Sequence, residues 1–207
     1  MKLRLQNDLT SISVSDVVFT ALLAIVVAGL LKLFVIGAFQ IPSSSMERTL
    51  LPGDFIMVSK LAFNISAVER GDIIVFDLPD SIRSESSPVS LIKRVVGMPG
   101  DTVRLTPSVA YVNGNAQPNP PLSASTDLIP KSLLPIGGNL DRTVVVPAGH
   151  YFVLGDNRAN SFDSRFWGCL PASAIVGAPL FVYWSHGADA ADLSAHVRWN
   201  RIFTGIR

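Results

Sequence analysis

Ile41-Pro42-Ser43-Ser44-Ser45-Met46 divides this chain into two kinds of sequence. Before it lies an apolar run, Val17 to Phe39, interrupted only by Thr20 and Lys32. About 20 residues of helix cross the hydrocarbon core of a bilayer, so the run is long enough to span one. Lys32 sits toward the outer end, where its ammonium can snorkel to the interface. A cleaved signal peptide is the competing reading, but its apolar region covers only about 7–15 residues. A buried helix of a soluble protein is the other. Pro42 ends the helical pattern and pushes Ile41 toward extended geometry. Beyond it the helical period fades and short β-rich runs take over.

These runs are separated by turn signals. Phe55-Ile56-Met57-Val58 follows Pro52-Gly53-Asp54, and Ile73-Ile74-Val75-Phe76 follows Arg70-Gly71-Asp72. Leu91 to Val96 is closed by Pro99-Gly100-Asp101. Asn113-Gly114, flanked by Tyr111-Val112 and the residues after Asn115, is a hairpin signal, because both positions of a type I′ turn need positive φ. Val144 to Val146, Tyr151 to Leu154 and Leu180 to Tyr183 complete the set. The expected fold is mainly β: an antiparallel sheet body with one N-terminal transmembrane helix. Residues 1–16 read as a polar tail, 17–39 as the anchor and 40–207 as the extracytoplasmic body. The Pro- and Ser-rich stretch from Asp77 to Ser90 reads as a surface loop, and about 106–143 as an accessory hairpin region with long loops. The segment from His196 to Phe203 mixes arginines with aromatics. Contact with a bilayer interface and packing on the body both fit it.

Composition narrows the function. The chain has 207 residues and a formal net charge of +1, so no strong pull toward nucleic acid is expected. Only 16% of residues are charged, against about 25% in a typical soluble domain. A membrane segment explains that deficit. Cys169 is the one cysteine, which rules out an internal disulfide and multi-cysteine zinc sites.

Three segments carry candidate chemistry. A serine hydroxyl attacks only when a base takes its proton. Ser43, Ser44 and Ser45 offer hydroxyls, although three serines also suit a plain polar linker. Lys93, in Leu91-Ile92-Lys93-Arg94-Val95-Val96, has apolar neighbours that would lower its pKa by desolvation. Side chains alternate along a strand, so Arg94 is expected on the opposite face, solvated. Taken alone, Lys93 reads first as an ordinary surface or ion-paired lysine. The third segment, Gly155-Asp156-Asn157-Arg158-Ala159-Asn160-Ser161-Phe162-Asp163-Ser164-Arg165, supplies polar groups that could orient the pair. His150, His186 and His196 are the only histidines. No Gly-x-Ser-x-Gly surrounds any serine, and the histidine spacing suggests no metal cluster.

Taken together, the segments resemble the type I signal peptidases. Phe39 to Asp54 is similar to that family's nucleophile region, Arg70 to Phe76 to its following strand, Lys93 to Asp101 to its lysine segment, and Gly155 to Arg165 to its last signature. The resemblance runs from the anchor to about Trp184. It implies Ser45 as nucleophile and Lys93 as general base. It implies an oxyanion hole from the Ser43 hydroxyl and the Ser45 N–H, Ser161 as the hydroxyl that orients the lysine, and Asp163–Arg165 as a supporting ion pair. It places Phe39, Ile41, Leu50, Ile56, Val75 and Ile92 near the substrate pockets. The implied reaction removes N-terminal signal peptides from secretory preproteins after small, Ala-X-Ala-like residues. It takes place at the outer face of the inner membrane, with the N-terminus cytoplasmic and with neither metal nor organic cofactor. Ser44 stands where glycine is common, and Ala159 where an acidic residue is common. A specialised Ser-Lys maturation peptidase, of pilus or organellar inner-membrane type, and a non-catalytic membrane-anchored β-domain are the alternatives.

Overall fold

The computed structural model describes residues 13–80, 90–106, 109–117, 142–187 and 197–207. The remainder of the expected tail, of the 77–90 loop and of the 106–143 region lies outside the described residues, as does His196. Two units make up the chain, residues 1–35 and 36–207.

The first unit contains α1 (Val14–Phe34), 21 residues with no buried side chain and long and apolar enough to cross a membrane. It ends five residues before the expected boundary at Phe39. The chain leaves helical geometry after Val35, whose N–H still bonds the Leu31 carbonyl. Ile36–Gln40 form strand β1, paired antiparallel with β2 (Asp54–Ser59) from Ile36 opposite Ser59 to Gln40 opposite Phe55. Apolar composition suits helix and strand alike. The inter-strand ladder, together with packing of Phe39 on the core, makes this segment strand.

In the second unit, a seven-stranded sheet runs β1-β2-β11-β3-β4-β9-β10, with every pairing antiparallel. Its members are β3 (Ile73–Asp77), β4 (Ser90–Gly97), β9 (His150–Leu154), β10 (Leu170–Pro171) and β11 (Ile175–Ser185). A four-stranded sheet, β7-β6-β5-β8, comprises β5 (Thr102–Leu105), β6 (Ala110–Val112), β7 (Asn115–Ala116) and β8 (Arg142–Val145). Asn113 and Gly114 take φ of 51° and 83°, as the β6–β7 hairpin requires. Two one-turn helices, α2 (Ala62–Ile65) and α3 (Ser164–Trp167), interrupt the strands.

Strand β3 explains how the core is partitioned. Ile73 and Val75 join Ile41, Met46, Leu50, Ile56, Val58 and Val182 in one cluster. Ile74 and Phe76 point the other way, into a cluster with Val95, Val153 and Leu170. Both faces of β3 are therefore covered, which is why its sequence is an unbroken apolar run rather than an alternation. Lys93 lies opposite Ile74 on the neighbouring strand β4, inside this covered layer.

The C-terminal segment is stapled to the body through Asp54, a fully buried carboxylate at the start of β2. Asp54 accepts hydrogen bonds from the Leu51 N–H at 2.8 Å, Ser185 Oγ at 2.6 Å and Arg201 Nε at 3.0 Å. Arg198 approaches it at 3.6 Å. Burial alone would raise this carboxyl. The hydrogen bonds from Arg201, the Leu51 N–H and Ser185, with the Arg201 charge, outweigh burial and hold it below the usual aspartate value of 3.8. The arginines of this segment thus pack on the body, whereas Trp199 and Phe203 stay exposed.

Removing one partner of a buried ion pair typically costs about 3–5 kcal/mol. Asp54→Ala is expected to lower stability by that order in a denaturant melt. Because the folded carboxyl is depressed, the stabilisation is complete above 3.8 and disappears as pH falls through the lowered value. The melting-temperature gap between wild type and Asp54→Asn should therefore be full at neutral pH and close in strong acid.

Candidate active site

The segment from Gln40 to Asp54 leaves β1, makes a one-turn 3₁₀ helix at Ser44–Met46 and returns into β2. Ser45 and Met46 are buried in that turn, and the Met46 side chain anchors it in the core. Ser45 occupies the second position of the turn. The first N–H groups of a helix have no partner within it, so the Ser45 N–H belongs to a set of donors available to an outside acceptor. Lys93, from the middle of β4, is 2% exposed. Its Nζ lies 2.8 Å from Ser45 Oγ and also donates to the Ile92 carbonyl at 2.8 Å. Ser43 Oγ donates to Ser45 Oγ at 3.3 Å. Residues separated by 48 positions in sequence thus meet in one hydrogen-bonded group.

Burial is the main influence on Lys93 and pushes its pKa from 10.5 down to about 8. Asp163 pulls it back up, Arg165 pushes it down, and Asp156 raises it slightly. Asp163 and Arg165 form a buried ion pair at 2.8 Å, so their fields at the lysine oppose each other. Arg165 thereby offsets part of the pull that Asp163 exerts toward the ammonium form. Asp163 also accepts the Gly155 N–H at 3.0 Å and Arg165 donates to the Ser161 carbonyl at 3.3 Å. The ion pair therefore ties both ends of the 155–161 loop. Arg142 of β8 adds a further tie by donating to the Arg165 carbonyl.

Ser161 is buried beside this group, yet its hydroxyl makes no hydrogen bond among the described residues. The lysine's second contact is the Ile92 carbonyl. Glycine at 155 is what lets Ser161 and the Ser45 carbonyl approach: a Cβ there would collide with Ser161 Oγ and Ser45 O.

Arg94 is not the solvated residue expected from strand alternation. It is 22% exposed and its guanidinium grips Asp156 through Nε at 2.8 Å and Nη2 at 2.7 Å. Asp156 is fully buried and also accepts from Thr49 Oγ1 at 2.6 Å. A buried carboxylate needs a cation, and Arg94 supplies it. The pairing of Arg94 with Asp156, and the part of Thr49 in it, was not legible in sequence, because the Arg94–Asp156 link spans 62 residues and leaves no periodic trace. The polar segment that holds Asp156, Gly155 to Arg158, was nonetheless visible directly after an apolar strand.

A cleft of about 100 Å³ opens beside Ser45 and Lys93. Phe39, Ile41, Ile56, Val75 and Ile92 line it, with Gln40 to Ser43 on one side and Ser90 and Leu91 on the other. Leu50 does not line it. Its N–H bonds the Met46 carbonyl, and its side chain packs fully buried in the cluster of Ile41, Met46 and Ile56. His150 and His186 bond the carbonyls of Ala148 and Gly187 through their ring nitrogens.

Residues 14–184 match the family described as "Signal peptidase, peptidase S26". "Signal peptidase I" of Pseudomonas aeruginosa is 38% identical over 195 residues, covering 75% of this chain and 67% of that protein. "Probable signal peptidase I-2" of Synechocystis sp. is 35% identical over 167 residues, covering 80% of this chain and 71% of that protein. "Signal peptidase I T" of Bacillus subtilis is 35% identical, covering 78% and 81%.

Replacing Gly155 by alanine forces the Ser45 turn and Ser161 apart. A displacement near 1 Å at a reacting group can cost about 100-fold in rate. Gly155→Ala is expected to lower kcat/KM by that order in a peptide-cleavage assay, with circular dichroism showing the β-fold retained.

Proposed function

Because this chain belongs to the signal peptidase S26 family, we propose that it is a serine endopeptidase that removes N-terminal signal peptides from exported preproteins, with Ser45 and Lys93 as its dyad. The 2.8 Å contact between Lys93 Nζ and Ser45 Oγ inside an apolar setting carries this reading. A lysine with a pKa of about 8 is partly neutral near pH 7–8, and a neutral amine has the lone pair that a general base needs.

In the proposed reaction, Ser45 Oγ bonds to the scissile carbonyl carbon while its proton passes to Lys93 Nζ. The carbonyl oxygen becomes an oxyanion. The Ser45 N–H and the Ser43 hydroxyl, 3.3 Å from Ser45 Oγ, are the donors proposed to receive it. The C–N bond then breaks, and the lysine ammonium returns its proton to the leaving amine. Water, deprotonated by the same lysine, then bonds to the acyl carbon, and the lysine returns that proton to Ser45 Oγ as the ester bond breaks and the signal peptide leaves. Ser161 is proposed to orient the lysine by a small rotation of its hydroxyl when substrate enters. Asp163 and Arg165 hold the loop that carries it.

The cleft walls support the substrate class. Phe39 to Ser43 and Ser90 to Lys93 flank it as extended backbone, which suits a substrate added as a strand between them. A cleft of about 100 Å³ walled by Ile41, Ile56, Val75 and Ile92 takes small apolar side chains. Alternate substrate residues face the same side, so the positions one and three before the cut are expected to be small. Helix α1 supports a single membrane span. The proposed placement is the inner membrane with the body on the outer side, in line with Lys2 and Arg4 near the N-terminus.

The test is cleavage of a secretory precursor by the purified full chain. Wild type should release the signal peptide at one site, and Ser45→Ala and Lys93→Ala should fall at least about 1,000-fold while remaining folded, as loss of a nucleophile or its base does. Exchanging alanine for leucine immediately before the cut should sharply reduce cleavage. Full activity in folded Lys93→Ala would remove the dyad, and equal rates for alanine and leucine would remove the shallow pocket.

A further inference from the structure

The turn that presents Ser45 cannot hold its own position. It is three residues long and closed by one backbone bond, Glu47 N–H to the Ser44 carbonyl at 2.9 Å. A single helical turn is unfavourable in isolation. The chain leaves it through Arg48 at φ 88°, a left-handed conformation that a non-glycine residue keeps only when its surroundings enforce it. Met46 anchors the turn in the core, Arg201 Nη2 donates to the Thr49 carbonyl at 3.0 Å just beyond Arg48, and the segment from Asn157 to Asn160 holds the outer side. The Asn157 N–H bonds the Ser45 carbonyl at 3.0 Å. Asn157 Nδ2 donates to Glu47 at 3.2 Å, and Asn160 Nδ2 donates to Ser44 Oγ at 2.7 Å.

The Asn157 backbone bond is available to any residue other than proline at that position. The two side-chain bonds are specific, and the Ser44–Asn160 bond is the shorter. Its placement gives it leverage. Ser44 stands between the two hydroxyls proposed for the oxyanion hole and the attack, and Asn160 directly precedes Ser161. No step of the proposed reaction uses either side chain. Nor does the turn need a hydroxyl at Ser44 for capping, since the residue before it is the cap and no side-chain cap bond forms. We propose that Ser44 and Asn160 form a latch that sets the Ser45 hydroxyl against Lys93, making both of them positioning residues for the reaction. This rests on the reading of Ser45 as the nucleophile.

The latch is solvent-accessible, so its loss should barely change global stability. Its effect should appear in the chemical step, at about the 3–10-fold level that one net hydrogen bond represents. The experiment measures kcat, KM and melting temperature for the full chain on one signal-sequence peptide. It compares wild type, Ser44→Ala, Asn160→Ala, their double variant, Ser44→Thr and Ser45→Ala. Each alanine variant should lose about 3–10-fold in kcat with unchanged KM and melting temperature. The double variant should fall no further than the worse single, because both remove the same bond. Ser44→Thr, which keeps the hydroxyl, should exceed Ser44→Ala. Wild-type kcat in either alanine variant, losses that multiply in the double, no rescue by threonine, or losses that track melting temperature would each overturn the latch. Wild-type activity in Ser45→Ala would instead overturn the dyad reading.

Discussion

Removal of one amine from water is the constraint on which the rest of this structure depends. Lys93 is 2% exposed and its proton is destabilised chiefly by that burial. A lysine at the surface would remain an ammonium at neutral pH and could not accept a proton. Strand β4 solves the problem by lying between β3 and β9, inside a layer covered on both sides. The apolar residues of β3 do double duty. They hold two core clusters together and provide the dry neighbourhood that shifts the lysine.

Burying an amine near carboxylates creates a second problem, because each nearby anion favours the ammonium form. The structure pairs those anions with arginines. Asp163 is held by Arg165 and Asp156 by Arg94. Asp54 is likewise held by Arg201, away from the lysine, as a staple for the C-terminal segment. The Asp163–Arg165 and Asp156–Arg94 pairs serve to fix loop geometry while limiting the net field at Lys93. Buried pairs gain little over apolar packing, which fits that role.

The strands were legible where apolar runs met Gly- or Pro-containing turns, as at Ile73 to Phe76 and Asn113-Gly114. The helix end was not. Ile36 to Phe39 is apolar enough for either state, and pairing with β2 together with the packing of Phe39 makes it strand. In β11 the register shifts near Pro179 and Val182, and these irregularities break the alternation that would have revealed its full length. At the site, the apolar setting of Lys93 was readable from its neighbours. Its meeting with Ser45, 48 residues away, was visible in sequence only through resemblance. The Arg94–Asp156 pair and the Ser44–Asn160 bond lay beyond local patterns altogether, because both depend on how the 155–161 loop folds back over the serine turn. Leu50 shows the converse. The resemblance placed it near the substrate pockets, but its side chain packs fully buried with Ile41, Met46 and Ile56.

A neutral Lys93 acting on Ser45 is the central claim, and the pH dependence of kcat/KM tests it most directly. This quantity reports the ionisation of the free enzyme. The folded pKa lies below the ordinary lysine value, so the active, neutral form accumulates as pH rises through about 8. A profile of wild-type cleavage from pH 6 upward, on a peptide without titrating groups in that range, should therefore rise tenfold per unit at low pH and level off above about 8. A profile that keeps rising tenfold per unit through pH 8 toward 10.5, the ordinary lysine value, would contradict the account.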